Sequence, residues 1–117
     1  MRPEPEGVAP MSDLALLAQL PEVTSVVRGS LAGVFLDGVE AADGETVAAV
    51  MGFVASSLLR AGEDLGLGAL RRISVAGEAA ACVVVVRADD VIAMRVDPPR
   101  AVVTVEKHLD NSLQGRG

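Results

Sequence analysis

The chain has 117 residues, a formal net charge of −6 and no tryptophan or tyrosine, while half of its residues are hydrophobic. A negative charge and only two phenylalanines argue against binding to phosphate backbones, to stacked bases or to an anionic membrane surface. The longest apolar run, residues 47–59, is too short to cross a bilayer, and the single cysteine excludes an internal disulfide. We therefore expect one soluble, cytoplasmic domain that binds neither nucleic acid nor membrane.

Both ends of the chain are expected to be flexible tails. Residues 1–11 combine three prolines with two glutamates, and residues 111–117 are polar, so neither segment can bury enough apolar surface to offset the cost of ordering. The domain itself is expected at residues 12–110. It opens with a short helix at 14–20, which Pro21 ends.

Two strands joined by a hairpin follow this helix. Residues 23–28, VTSVVR, are rich in β-branched side chains, and residues 34–40, VFLDGVE, form a second run of the same kind. The link between them, GSLAG at 29–33, has glycine at both ends, which suits a hairpin loop. A turn at 41–44 then leads into a long helix.

The long helix is predicted at 45–67. Its apolar residues recur at intervals of three and four and form a stripe that should face a core: Val47, Val50, Met51, Val54, Leu58, Ala61 and Leu65. A second face is almost uncharged and consists of small residues and one phenylalanine: Ala48, Ala49, Gly52, Phe53 and Ser56. Two interpretations remain open, since the small residues either bring the helix close to its own sheet or contact a second subunit.

Three further strands are expected at 70–76, 80–86 and 91–96. Residues 80–86, AACVVVV, lack polar alternation and are therefore predicted to be the central strand, buried on both faces. In the strand at 70–76, Ile73 and Val75 should point inward. The strand at 91–96 has an alternating pattern, which places Ile92, Met94 and Val96 on one face of the sheet and Ala93 and Arg95 on the other.

The segment at 101–109 allows two structures. Pro98 and Pro99 block strand pairing and can open a helix, whereas the Val-Val-Thr-Val content favours a strand. With a helix here, the order of elements is α-β-β-α-β-β-β-α. This order predicts an α+β sandwich around a mixed or antiparallel sheet of five strands.

The sequence offers no catalytic or metal-binding constellation. Cys82 lies in the most apolar strand and is interpreted as a core residue. His108, the only histidine, is interpreted as a solvated residue at the end of a helix. Asp89 and Asp90 are interpreted as turn formers and not as calcium ligands. We therefore expect that the protein is not an enzyme and binds neither a cofactor nor a metal.

Five arginines either contact an acidic partner or, as is usual for edge charges, keep strand edges soluble: Arg60, Arg71, Arg72, Arg87 and Arg95.

Three stretches resemble the roadblock family, the small dynein light-chain-like domains also found in bacteria and archaea beside Ras-like GTPases. They are the hairpin VVRGSLAGVFLDG, the helix VAAVMGFVASSLLRAGEDLGLG and the strand pair LRRISVAGEAAACVVVVRADDVIAMRV. The resemblance covers residues 12–109 and implies a roadblock-like, profilin-like α/β sandwich with a largely antiparallel sheet. The hairpin departs from the family pattern, because it lacks the Asp-Gly or Lys-Gly turn common in relatives.

The resemblance implies a homodimer in which the long helices lie side by side and the third strands pair into one sheet. The implied dimer interface consists of Ala48, Ala49, Gly52, Phe53 and Ser56 on the helix and Arg72 and Ser74 on the strand. On this assignment, Gly52→Leu overpacks the contact between subunits, which destabilises it by about 1 to 3 kcal/mol.

Relatives act as scaffolds or regulators, so the resemblance implies a non-enzymatic module that binds a small Ras-like GTPase or another roadblock-like protein. A sensor that holds a small ligand between sheet and helix is the alternative.

Overall fold

The structure, a computed structural model, describes the backbone of residues 13–114 and the side chains of residues 14–109. Its elements follow the predicted order, and the α+β class is confirmed. The helices are α1 (Asp13–Ala18), α2 (Gly44–Asp64) and α3 (Val102–Gln114), the last preceded by a 3-10 turn at Pro99–Ala101. The strands are β1 (Val23–Ser30), β2 (Phe35–Val39), β3 (Arg72–Ala76), β4 (Ala81–Val86) and β5 (Asp90–Val96). The predicted tail at 1–11 and the last three residues of the predicted tail at 111–117 lie outside the described residues.

The five strands form one sheet in the order β2-β1-β5-β4-β3, and every neighbouring pair is antiparallel. The prediction that residues 80–86 form the central strand is therefore wrong, because β5 lies in the middle and β4 lies next to the edge. Both strands are apolar enough for the centre. What decides between them is the pairing of β5 with β1, a contact between residues 60 or more positions apart that no local pattern encodes.

Two apolar layers cover the sheet. On one face, α1 and α3 pack against the side chains of Val26, Val83 and Met94, with Val105 and Leu109 of α3 fully buried. On the other face, α2 packs through Ala55 on a second cluster: Ile73, Val84, Val91 and Ala93. The alternation predicted for β5 is confirmed, since Ile92, Met94 and Val96 belong to the first layer and Ala93 to the second.

The long helix lies closer to the sheet than its large apolar residues alone would allow. Its fully buried positions are all occupied by small residues: Gly44, Ala48, Gly52, Ala55 and Gly62. Val47, Met51 and Val54 flank this line and contact the core as predicted. The outer members of the predicted stripe are instead exposed, with Val50 at 48% and Leu65 at 73%. The helix ends at Asp64, three residues before the predicted end, and Gly66 adopts a positive φ of 73° just beyond it.

The ambiguous segment at the end of the chain is a helix. Burial of Val105 and Leu109 against the sheet outweighs the modest preference of a Val-Val-Thr-Val run for a strand. The helix continues to Gln114, so residues 111–114, expected to belong to a tail, are helical. Among the described residues, no helix is both long and apolar enough to cross a membrane.

Candidate interaction surface

The side of α2 that points away from the sheet is uncovered. From residue 46 to residue 58 its exposed side chains are uncharged: Thr46, Ala49, Val50, Phe53, Ser56, Ser57 and Leu58. Phe53 lies in the middle of this surface and is 74% exposed. A large aromatic side chain amid small uncharged neighbours is typical of a contact surface, because solvated helix faces are normally charged. We call these residues the outer face of α2.

Ala48 and Gly52, which the family resemblance places at a dimer interface, are instead covered by the chain's own β1–β2 hairpin. Ala48 is 1% exposed, and a Cβ atom added at Gly52 would lie 2.7 Å from the Cα atom of Gly33. The backbone of the hairpin therefore occupies the space that a partner subunit would need. The first interpretation of the small residues, close approach within the chain, is correct for these two positions.

The other predicted interface residues have different surroundings. Ala49 and Phe53 are exposed on α2, and the Ser56 hydroxyl donates a hydrogen bond to the carbonyl oxygen of Leu31 at 3.0 Å. On β3, Arg72 is half-buried, and Ser74 donates a hydrogen bond to a carboxylate on α3. Contact with a second subunit at these positions remains a prediction.

Strand β3 is an edge strand, because in the described part of the chain it pairs only with β4. Beneath α2, one row of side chains across the sheet is buried to 8% exposure or less, and we call it the covered row: Val27, Ala93, Val84 and Ile73. The parallel row two residues further along each strand is the open row: Ser25, Arg95, Cys82 and Val75. Val75, predicted to point inward, does share the face of Ile73 but is 53% exposed, because α2 does not reach it.

A cleft of about 710 Å³ lies between the open row and the N-terminal half of α2. Its walls are apolar where Val47, Val50 and Met51 of α2 line it. Polar groups lie at its rim, where Thr46, Glu40 and Asp43 line the side near the start of α2. Sequence periodicity missed this cleft, since periodicity assigns residues to a face of the sheet but does not tell how far a helix extends across that face.

Arg95 is the single cationic side chain lining the cleft, and it has no hydrogen-bonding or charged partner among the described residues. It lies directly opposite Cys82 across the β4–β5 pair. Burial raises the pKa of the Cys82 thiol, and the positive charge of Arg95 acts in the opposite direction. Cys82 is therefore protonated near neutral pH, which gives it little nucleophilic character.

A second polar cluster lies at the opposite end of the sheet and has a structural role. Asp90 is 8% exposed and accepts hydrogen bonds from Arg87 at 2.7 and 2.9 Å and from Arg28 at 3.1 Å. The hydrogen bonds from Arg87, followed by the one from Arg28, hold the pKa of Asp90 below its usual value, although burial opposes them. The cluster joins β1 to the β4–β5 turn. Asp90, predicted to be a turn former, is the first residue of β5, and its carbonyl oxygen accepts the hydrogen bond from the Arg87 N–H that closes the turn.

None of the described side chains form a group of three or more that could hold a metal ion. Cys82 lies in the cleft, whereas His108 is exposed on α3, beyond the opposite face of the sheet. The structure thus does not bring these two residues together. Arg60 is exposed near the end of α2.

No family model and no curated protein match the sequence. Solved structures with a similar fold do exist. The Roadblock/LC7 domain from Streptomyces avermitilis superimposes with a TM-score of 0.67 at 20% identity, over 86% of this chain and 94% of that one. The gliding protein MglB from Thermus thermophilus superimposes with a TM-score of 0.68 at 16% identity, over 86% of this chain and 82% of that one. MglB from Myxococcus xanthus superimposes with a TM-score of 0.64 at 10% identity, over 86% of this chain and 90% of that one. The chain therefore folds as a roadblock-like domain.

Proposed function

We propose that this chain is a homodimeric, non-catalytic interaction module that binds a small Ras-like GTPase or a related roadblock-like scaffold. The observation that carries the proposal is the uncovered surface formed by the outer face of α2, the cleft and the edge strand β3. In it, Phe53 is 74% exposed and Val75 is 53% exposed. Exposed apolar side chains are costly in water, so such a surface favours association.

A second copy is the first partner that this surface suits. An unpaired edge strand offers its N–H and C=O groups to another strand, and pairing of two β3 strands about a two-fold axis would satisfy both edges at once. Arg72 and Ser74 lie on this strand, and Ala49 and Phe53 lie on the outer face of α2. The resulting dimer presents each remaining surface twice.

The link to a GTPase rests on the family resemblance and on the fold. A symmetric, rigid module regulates a GTPase by binding one of its conformations more tightly than the other, which shifts the population toward the bound state. No catalytic side chain is required for this mechanism. The module would bias the nucleotide state or the location of its partner.

Self-association is tested with two matched variants. Phe53→Asp places a charge on the outer face of α2, whereas Val103→Asp places it on an exposed valine of α3 on the opposite side of the domain. Burying a phenylalanine contributes about 1.5–3 kcal/mol, and a two-fold dimer buries two of them, so the first change should raise the dimer dissociation constant at least 100-fold. Light scattering after size exclusion measures the mass. A monomeric wild type, or equal weakening by both variants, would refute the proposed interface.

Partner binding is tested by capture. Immobilised wild-type protein is incubated with lysate in the presence of either a GTP analogue or GDP, and bound chains are identified by mass spectrometry. Preferential recovery of a Ras-like GTPase with one nucleotide supports regulation, and equal recovery with both supports tethering. Recovery of no GTPase in either state contradicts this half of the proposal.

The cleft favours a second candidate function, a sensor of a small ligand. Its volume lies within the range of about 300–1,000 Å³ that is usual for ligand sites, and Arg95 can pair with an anionic group above an apolar floor. A thermal shift screen against carboxylate-bearing metabolites tests this function, because a ligand that binds only the folded state raises Tm. A rise in Tm that Arg95→Ala abolishes supports the sensor function. If no metabolite raises Tm, the sensor function is contradicted.

A further inference from the structure

The cleft beside α2 carries charges of opposite sign in two separate parts. Glu40 and Asp43 line it beside the edge strand β2, whereas Arg95 lines it on the central strand β5. All three side chains are exposed, and among the described residues none of them has a hydrogen-bonding or charged partner. The apolar wall formed by α2 runs alongside both parts. The cleft therefore offers a negative end, a positive centre and an apolar wall to a single ligand.

Strand pairing sets the distance between the two charged parts. The last residue of β2 pairs with Val26, which brings Glu40 to the level of Ser25. Ser25 pairs in turn with Arg95. Neighbouring strands lie about 4.8 Å apart, so two strand spacings, or about 10 Å, separate the backbones of Glu40 and Arg95. An extended peptide spans about 3.3–3.6 Å per residue, so the two ends of a peptide of two or three residues match this distance.

The backbone at the negative end leaves both carboxylates available to a ligand. Asp43 is the N-cap residue of α2, but its side chain makes no capping hydrogen bond, although aspartate usually does so at this position. Glu40 has a positive φ of 53°, a left-handed conformation that favours glycine over a residue with a side chain. Residues held in such conformations are concentrated at functional sites. A ligand cation would give a partner to both carboxylates.

We infer that the cleft binds an apolar peptide of two or three residues with free termini, its carboxylate on Arg95 and its ammonium group beside Glu40 and Asp43. The inference rests on the second candidate function, the small-ligand sensor, and names the class of its ligand. A ligand with only a carboxylate leaves the two acidic side chains unpaired, and a ligand with only an amine leaves the arginine unpaired. The site lies over β2, β1 and β5, away from the β3 edge through which the proposed homodimer pairs.

Calorimetric titration of the wild-type protein with dileucine and trileucine tests the inference. Amidation of the peptide removes its carboxylate, and acetylation removes its ammonium group. Each blocked form should bind at least tenfold more weakly than the parent peptide, because each leaves a charged group of the cleft unpaired. Bound peptide should also slow the reaction of Cys82 with a maleimide, since this residue is the only cysteine and lines the cleft. The slower reaction locates the peptide in the cleft.

Three variants assign each terminus of the peptide to its partner. Arg95→Gln should abolish the preference for the parent peptide over its amide but retain the preference over the acetylated form. Glu40→Gln combined with Asp43→Asn should do the reverse. Glu45→Gln removes an exposed carboxylate of α2 that does not line the cleft, so it should change neither preference. Loss of the fold would weaken all forms of the peptide alike, which distinguishes it from loss of one contact.

The failure of this inference differs from the failure of the sensor function. If both blocked forms bind as tightly as the parent peptide, the inference is overturned. It is also overturned if neither peptide binds while a metabolite with only a carboxylate raises Tm through Arg95, and the sensor function then stands with another class of ligand. If neither peptides nor metabolites bind, the sensor function itself is contradicted.

Discussion

Two of the three buried glycines of α2, Gly52 and Gly62, provide a direct test of how the helix packs. A Cβ atom added at Gly52 would lie 2.7 Å from the Cα atom and 2.8 Å from the nitrogen atom of Gly33. A Cβ atom added at Gly62 would lie 3.6 Å from its nearest neighbour, the carbonyl oxygen of Gly68, which is an ordinary contact. Substitution by alanine therefore adds the same methyl group to the same helix with opposite steric consequences.

The expected effects follow from two opposing contributions. Replacing glycine by alanine inside a helix stabilises a protein by about 0.5–1 kcal/mol, and both variants gain this amount. At Gly52 the methyl group meets backbone that cannot rotate away, and overpacking of this kind costs about 1–3 kcal/mol. We expect Gly52→Ala to be less stable than wild type and Gly62→Ala to be more stable, with a difference of about 1–3 kcal/mol between the two variants.

Urea denaturation followed by circular dichroism measures both free energies of unfolding. The comparison should be made at two protein concentrations, because a loss caused by a clash within the chain does not depend on concentration. If Gly52→Ala is as stable as Gly62→Ala, the close approach of α2 to the hairpin is refuted. If its loss appears only at concentrations where the chain self-associates, Gly52 contacts a second subunit after all.

Two further predictions concern titratable groups. The pKa of Asp90 is lowered by its arginine partners, so its ion pairs stabilise the fold above the unfolded pKa of about 3.9, and this stability is lost as the pH falls through the lower folded value. Asp90→Asn should cost about 1–2 kcal/mol at pH 7, given that the two arginines are about one-third exposed, and should flatten the acid limb of the stability profile. An unchanged acid limb would contradict the role of Asp90. The thiol of Cys82, whose pKa burial raises, should react with a maleimide more slowly at pH 7.5 than free cysteine does. Arg95→Ala should move the midpoint of this reaction to higher pH, and an unmoved midpoint would show that Arg95 does not act on the thiol.

The candidate surface could be predicted from the sequence only in part. The uncharged flank of α2 pointed to a contact face, and Phe53 and Ala49 are exposed there. The same flank contains Ala48 and Gly52, which are buried by the hairpin. Helical periodicity assigns a residue to a direction around the helix axis, and it does not reveal which element of the chain lies in that direction.

The sequence by itself determined the order of the first seven elements, the long helix, the glycine-bracketed hairpin and the alternation along β5, because each depends on residues that are close together in the chain. Tertiary structure alone decided that β5 and not β4 is central, that 101–109 is helical, and that α2 leaves a cleft beside Cys82 and Arg95. These features depend on contacts between distant segments. Their energies come from the burial of surfaces that meet only after the sheet has formed, so they are absent from local patterns.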